Sequence, residues 1–280
     1  MVANKSSNGV SPSTVPIIDF SKWIKAKNDK ERMKVAKELV DGCRSIGFVY
    51  IINHNFPEEL LLNDVFTHTE QLFNLTYDEK MQATHPPGTA VHRGYTEPNR
   101  VKINATTEER KFKINFNRNE TFDVGSEECL AQPNQWLPEE MLPGFKDVAT
   151  RFYWECNTVA QSILRAIAMG IGLEDPEHLT KAHSGIYNQL RLAHYMPIST
   201  DMLERNQVDR LHTHTDFSTI TLVFQDDVGG LQIKNPYKDD DTFIGATPIK
   251  GAIVMNIGDP LMRWSNGERA RLLAKVASAN

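Results

Sequence analysis

No histidine follows His214 in this 280-residue chain; all nine fall between His54 and His214. Cysteine is scarce too: Cys43, Cys129 and Cys156 are odd in number, far apart and without a C-x-x-C pair. That excludes a disulfide framework and a zinc ribbon, leaving reduced, packed thiols as the expectation. No apolar run approaches the roughly 20 residues of a membrane helix, and the opening MVANKSSNGVSPSTV lacks the apolar core of a signal peptide. A cytoplasmic protein is therefore expected. Positive charge is not in excess either. Lysine and arginine number 31 against 36 aspartates and glutamates, a formal charge of -5, which offers no electrostatic footprint for nucleic acid or anionic lipid. The expected partner is a small-molecule substrate, with no nucleic acid and no membrane.

What is present is the composition of a folded domain, with 40% hydrophobic and 24% charged residues. The length allows one large core, or one core with a smaller helical cap. Residues 1–14 are rich in Ser, Asn and Pro and are expected to be disordered. Residues 15–180 read as a helical and loop-rich region. It begins with the β-like VPIIDF, continues with a helix from Asp29 to Cys43 stopped by Gly47, and passes through the strand-like FVYIINH. A second helix around Leu61 to Leu72 leads into an irregular stretch from about Thr84 to Pro143. A long packing helix then runs from about Phe145 to Met169, with Phe145, Val148, Phe152, Cys156, Val159, Ile163 and Ile167 as its seam. From 185 to 280 the texture changes to short runs, QLRLAHYM, TITLVFQ, GLQIKN, FIGATPI and AIVMNIG, with no helices between them. This pattern predicts an antiparallel sandwich or jelly roll.

Chemistry concentrates in RLHTHTDFSTITL, Arg210 to Leu222. In His214-Thr215-Asp216 an imidazole and a carboxylate stand two residues apart just before a strand, where alternate side chains share a side. With a third ligand from a distant strand, such a pair makes the facial triad of non-haem iron, which leaves three positions for a bidentate co-substrate and dioxygen. Taken alone, His-x-Asp matches any exposed histidine near an aspartate, so its neighbours decide. Those neighbours are HTDFSTITLVFQDDVGGLQIKNP (His214 to Pro236), TPIKGAIVMNIGDPLMRWSN (Thr247 to Asn266), RLAHY (Arg191 to Tyr195) and VPIIDFSKW. In this order they resemble the isopenicillin N synthase-like branch of the Fe(II)/2-oxoglutarate-dependent dioxygenases. HRGYTEP, QPNQWLPEE and RLAHY are most similar to fungal members such as thymine 7-hydroxylase.

The resemblance implies an α+β chain, mainly β with a helical N-terminal half, built on a double-stranded β-helix (jelly-roll) barrel. It also implies Fe(II), 2-oxoglutarate and O2, with 2-oxoglutarate going to succinate and carbon dioxide while a substrate C–H is hydroxylated, desaturated or closed into a ring. His214 and Asp216 match the first two iron ligands, Tyr195 matches the tyrosine at the 2-oxoglutarate carboxylate, and Arg93 and Tyr95 lie where members border the substrate pocket. His212 is out of the ligand register, and His194 should point to the opposite face of its strand from Tyr195. The pattern breaks at the end. Where members continue from RWSN to His-Arg-Val and later Arg-x-Ser, this chain reads GERARLLAKVASAN, with Ala274 at the histidine's place. Glu268, Arg269 and Arg271 are substitutes that no spacing requires. Three readings stay open: a genuine His→Ala replacement in a C-terminally truncated barrel, an incorrect 3′ end that hides the true continuation, and a pseudo-enzyme that keeps the barrel as a binding module. An iron oxidase that works without 2-oxoglutarate is a further alternative.

Overall fold

The structure, a computed structural model, describes residues 14–57, 60–87, 92–98, 116–117, 119–197, 208–209, 211–238, 242–264 and 274–276. The first half carries β1 (Ile17–Asp19), α1 (Ser21–Ile24), α2 (Asp29–Ile46), β2 (Phe48–Ile52), α3 (Phe66–Asn74) and α4 (Tyr77–Lys80). After these come β3 (Gly94–Thr96), β4 (Phe116–Asn117), β5 (Asn119–Val124), α5 (Phe145–Gly170) and α6 (His178–Lys181). The second half is β6 (Leu190–Tyr195), β7 (Val208–Asp209), β8 (Leu211–His214), β9 (Ile220–Val223), β10 (Leu231–Lys234), β11 (Phe243–Gly245), β12 (Ile253–Ile257), α7 (Asp259–Trp264) and β13 (Ala274–Val276).

The two long helices form for the reasons their sequences state. At the start of α2, the Asn28 side chain accepts the Glu31 amide at 3.0 Å. At its end Gly47 takes the left-handed conformation (φ 74°) that β-carbon-bearing residues resist. Between these caps Val35, Ala36, Leu39, Val40, Cys43 and Ile46 form its buried stripe. The last residue of α5, Gly170, lies so close to α2 that a Cβ there would sit 2.4 Å from the Ala36 carbonyl oxygen.

Four sheets form among the described residues, in the orders β1-β2-β12-β9, β11-β10-β13-β8, β3-β5-β6 and β4-β7. The first two are the layers that position the site. On the first sheet, Val49, Ile51, Ile253 and Met255 face the helices and join Leu39, Phe152, Ile163 and Ile167 in the main core. The alternate residues Phe48, Tyr50 and Val254 face the second sheet and pack on Ile233 and Ala246. Strand alternation thus gives this sheet two apolar faces, as a sheet covered on both sides requires.

The expected closed barrel is not formed among the described residues. β6 pairs with β5 and β9 pairs with β12, each at the end of its own sheet, so β6 and β9 leave the barrel wall open between them. The sequence pattern gives no sign of β13, since everything after Asn266 reads as a departure from the family. Backbone pairing corrects this: β13 lies between β10 and β8, with Leu231↔Val276, Gln232↔Lys275 and Ile233↔Ala274 on one edge.

Candidate metal centre

His214 ends β8 on the second sheet, and the chain turns immediately to present Asp216 to the first. On the first sheet Thr221 of β9 and Asn256 of β12 stand directly opposite each other in register. Both reach the same carboxylate oxygen: Thr221 Oγ1 donates to Asp216 Oδ2 at 2.6 Å and Asn256 Nδ2 donates to it at 2.8 Å. The other oxygen, Oδ1, is left to His214, whose Nε2 lies 3.3 Å away. Two cis ligands, each about 2.1 Å from an ion, stand about 3 Å apart. One imidazole nitrogen and one anionic oxygen 3.3 Å apart therefore suit two neighbouring ligands of a borderline divalent cation such as Fe(II).

The loop that carries Asp216 is held by backbone as well. Asp259 N donates to the Asp216 carbonyl at 2.9 Å, Gly258 N donates to the Thr219 carbonyl at 3.0 Å, and Thr215 Oγ1 donates to Asp259 Oδ2 at 3.2 Å. Gly258 allows this approach, because a Cβ there would lie 1.7 Å from the Ser218 carbonyl oxygen and 2.8 Å from that of Asp216. Gly258→Ala is therefore expected to push the 216–218 loop off its seat, costing at least about 1–3 kcal/mol of stability. A thermal melt alongside a Co(II) titration would show both losses together.

Burial pushes the Asp216 carboxyl up, but the hydrogen bonds from His214, Thr221 and Asn256 outweigh it and hold the group down at about 2. A carboxylate kept ionised and aimed in this way is ready for a cation. Asn256→Ala is expected to weaken metal binding about 10- to 100-fold, as loss of a hydrogen bond that orients a ligand does; a calorimetric titration measures it.

Ala274 of β13 is the cross-strand partner of His214. Among the described residues no group of three or more His, Cys, Asp or Glu is placed to hold a metal. Glu268, Arg269 and Arg271 lie outside the described residues. The donor set thus fits two ligands of an iron site and carries an alanine at the place opposite the first.

The other residues singled out from sequence are placed differently. Tyr195 is half-buried at the end of β6, opposite Asn119 of β5, and burial raises its hydroxyl pKa while Arg191 draws it down. Arg93 is 3% exposed and Tyr95 1% exposed. Arg93 donates to the carbonyls of Gln132 (3.0 Å) and His92 (2.6 Å), and Tyr95 donates to Glu120 Oε2 at 2.6 Å. His212 lies within β8. His194, without a role on the sequence pattern, shares Glu120 with Lys80: its Nδ1 lies 2.8 Å from Oε1, while Lys80 Nζ donates to Oε2 at 2.8 Å. A cavity of about 1020 Å³ opens beside His194, with Phe56, Phe73, Phe224 and Ala193 among its walls. Its lining includes none of Arg93, Tyr95, Tyr195, His214 and Asp216.

Sequence reasoning misses Thr221, Asn256, Gly258 and Glu120. Thr221 and Asn256 sit in the blocks STITL and IVMNI as ordinary strand polar residues. Only the pairing of β9 with β12 reveals that they converge.

Comparisons with known proteins identify the family. Residues 15–139 match the family described as the non-haem dioxygenase in morphine synthesis N-terminal region, and residues 187–280 match the 2OG-Fe(II) oxygenase superfamily. A 2-oxoglutarate-Fe(II) type oxidoreductase, ppzD, of Metarhizium rileyi is 36% identical over 82% of this chain, and the match spans 65% of that relative's length. The 2-oxoglutarate-dependent dioxygenase htyE of Aspergillus rugulosus is 35% identical over 90% of this chain and 76% of its own. The crystal structure of the full-length thymine 7-hydroxylase of Neurospora crassa in complex with alpha-KG and thymine superposes with a TM-score of 0.84 at 31% identity, covering 98% of this chain and 83% of that one.

The chain belongs to the 2OG-Fe(II) oxygenase superfamily, oxidoreductases that use Fe(II), 2-oxoglutarate and O2. The superfamily match runs through residue 280, past Asn266. No helix among the described residues is long and apolar enough to cross a membrane.

Proposed function

We propose that this chain is an Fe(II)- and 2-oxoglutarate-dependent oxygenase acting in the cytoplasm on a small organic molecule of fungal secondary metabolism, by hydroxylation, desaturation or cyclisation. The observation that carries it is Asp216, held ionised by Thr221 and Asn256 with one oxygen left toward His214. His214 and Asp216 would hold the iron, and Tyr195 would meet the 2-oxoglutarate carboxylate. Arg93 and Tyr95 would support the substrate pocket as buried braces rather than as contacts. Bound iron with 2-oxoglutarate and dioxygen supplies the oxidising power for C–H cleavage.

The chain's own residues do the positioning. Thr221 and Asn256 prevent the carboxylate from rotating, so Oδ1 keeps its direction toward the imidazole. In the metal-free site the ionised carboxylate can only accept, so the proton between His214 and Asp216 resides on Nε2. It must move to Nδ1 or leave before that nitrogen can ligate, so a metal is expected to bind His214 through Nε2 in its Nδ1–H form. Tyr195→Phe should raise the KM for 2-oxoglutarate several-fold with a smaller change in kcat, because only a binding hydroxyl is lost; initial rates of succinate formation test this.

The decisive experiment measures succinate from 2-oxoglutarate at saturating Fe(II) with ascorbate. Succinate that falls to background in His214→Ala supports the reading. The absence of His214-dependent succinate, both in the chain as it stands and in Ala274→His, overturns it.

A further inference from the structure

Alternation along sheet β3-β5-β6 separates two faces. Phe122, Val124, Leu190 and Leu192 turn to the helices and pack in or against the main core. Thr121, Asp123, Arg191, Ala193 and Tyr195 therefore share the opposite face, where the register sets Asp123 against Arg191 and Thr121 against Ala193. On that face Arg191 is held side-on: its Nε donates to Asp123 Oδ1 at 2.7 Å and its Nη2 to Oδ2 at 2.9 Å. The Asp123 side chain is 0% exposed, whereas that of Arg191 is 39% exposed. A guanidinium carries five N–H donors in a rigid fork. Asp123 takes two of them, and among the described residues no other partner takes the rest. The end-on edge formed by Nη1 and Nη2 is thus fixed in direction and offers the parallel donors that a carboxylate matches.

Thr121 is 5% exposed, and its hydroxyl is buried without a hydrogen-bond partner among the described residues. Its register partner Ala193 stands between Arg191 and Tyr195 and offers no polar side-chain atom. A buried hydroxyl left unpaired is destabilising, so an acceptor brought to this face relieves it. The direction of β6 then separates two carboxylate seats. His183, before β6, reaches Thr219 of the metal loop, Nε2 to Oγ1 at 2.8 Å. Ala193 and His194 instead line the cavity shared with Phe224, which follows β9 at its end away from Asp216. β6 therefore starts nearer the metal end, and Tyr195 lies four residues, about 13 Å, deeper than Arg191.

We infer that Arg191, with Thr121 beside it, reads the carboxylate of the organic substrate, and that the substrate is accordingly a carboxylic acid. The inference rests on the oxygenase reading and names the substrate class for it. The open edge of the guanidinium takes the two carboxylate oxygens, and the Thr121 hydroxyl gains an acceptor. Tyr195 stays with 2-oxoglutarate.

The test uses the full 280-residue chain without metal, with benzoate as the carboxylate probe and benzamide as its uncharged counterpart. Arginine Nε–H resonances are followed by NMR, that of Arg191 being assigned by through-bond correlation to its backbone. Benzoate is expected to move the Arg191 resonance saturably, and benzamide at equal concentration to leave it in place. Affinities of the variants come from broadening of the benzoate proton signals. Arg191→Lys keeps the charge but loses the fork, so benzoate should bind at least about 10-fold more weakly. Thr121→Val leaves the ion pair intact and should weaken benzoate about 3- to 10-fold. 2-Oxoglutarate added with Co(II) should leave benzoate bound.

An Arg191 resonance unmoved by benzoate, or moved equally by benzamide, overturns the inference. Displacement of benzoate by 2-oxoglutarate with Co(II) overturns it as well, because Arg191 then belongs to the co-substrate's seat. The titration of the unchanged chain stands even if Arg191→Lys fails to fold. None of these measurements needs turnover, so a chain that binds benzoate in this way but forms no His214-dependent succinate has failed the oxygenase reading alone.

Discussion

Glu120→Gln is expected to lower the unfolding free energy by about 3–5 kcal/mol, the usual cost of breaking a buried ion pair from one side. Glu120 is 4% exposed and carries three partners: Lys80 Nζ at 2.8 Å, Tyr95 Oη at 2.6 Å and His194 Nδ1 at 2.8 Å. Lys80 is itself 8% exposed and also donates to the Phe73 carbonyl at 3.1 Å. Glutamine can replace some of these hydrogen bonds but not the charge, so the buried ammonium is left uncompensated. Chemical denaturation of both proteins measures the loss. Replacing the pair together, Lys80→Met with Glu120→Leu, should recover much of it, because neither charge then remains to be desolvated.

The same carboxyl gives a pH signature. Burial pushes Glu120 up, but the hydrogen bonds from Lys80, Tyr95 and His194 outweigh this and leave it below its ordinary value of 4.5. A carboxyl depressed in the folded state contributes stability above its unfolded pKa and loses that contribution as pH falls through its folded pKa. Stability should therefore fall on acidification below about pH 4.5 more steeply in the unchanged protein than in Glu120→Gln. Parallel slopes for the two would refute this assignment.

Asp216→Ala carries the second large effect. The carboxylate is the only anionic ligand of the pair, and its Oδ2 is fixed from two opposed strands. Its removal should weaken Co(II) binding more than about 100-fold, exceeding the loss of a group that merely orients a ligand. Succinate formation should drop to background at any accessible Fe(II) concentration. The two donors left behind, Thr221 Oγ1 and Asn256 Nδ2, lose their acceptor in a half-buried site, so the metal-free protein should also lose about 1–3 kcal/mol. Asn256 is 6% exposed and cannot turn to water. Metal titration and thermal melts of one preparation separate the two losses.

Local elements are legible in the chain with little error. Helix α2 and the long α5 fall where apolar spacing and glycine stops put them, within a few residues. The strand runs containing β6, β9, β10, β11 and β12 are visible as short apolar alternations. Strand β13 is not, because AKV is too short and too polar to signal a strand alone; its pairing with β10 and β8 makes it one. The hydrogen-bonded quartet of Lys80, Tyr95, Glu120 and His194 is equally hidden. Its members lie on four separate elements: sheet β3-β5-β6 aligns Tyr95, Glu120 and His194, with Glu120 directly opposite His194, and α4 brings Lys80 to them.

By itself the sequence determined the class of the protein, the His214-Thr215-Asp216 motif and the absence of any histidine beyond it, since these depend on residue identity and short spacing. Tertiary structure alone decided that Thr221 and Asn256 seize one oxygen of Asp216 and that Ala274 stands opposite His214. Those relations join residues on separate strands that the chain reaches only after intervening loops. A hydrogen bond or a cross-strand contact depends on distance in space, which the order of residues along the chain does not carry until the sheets have formed.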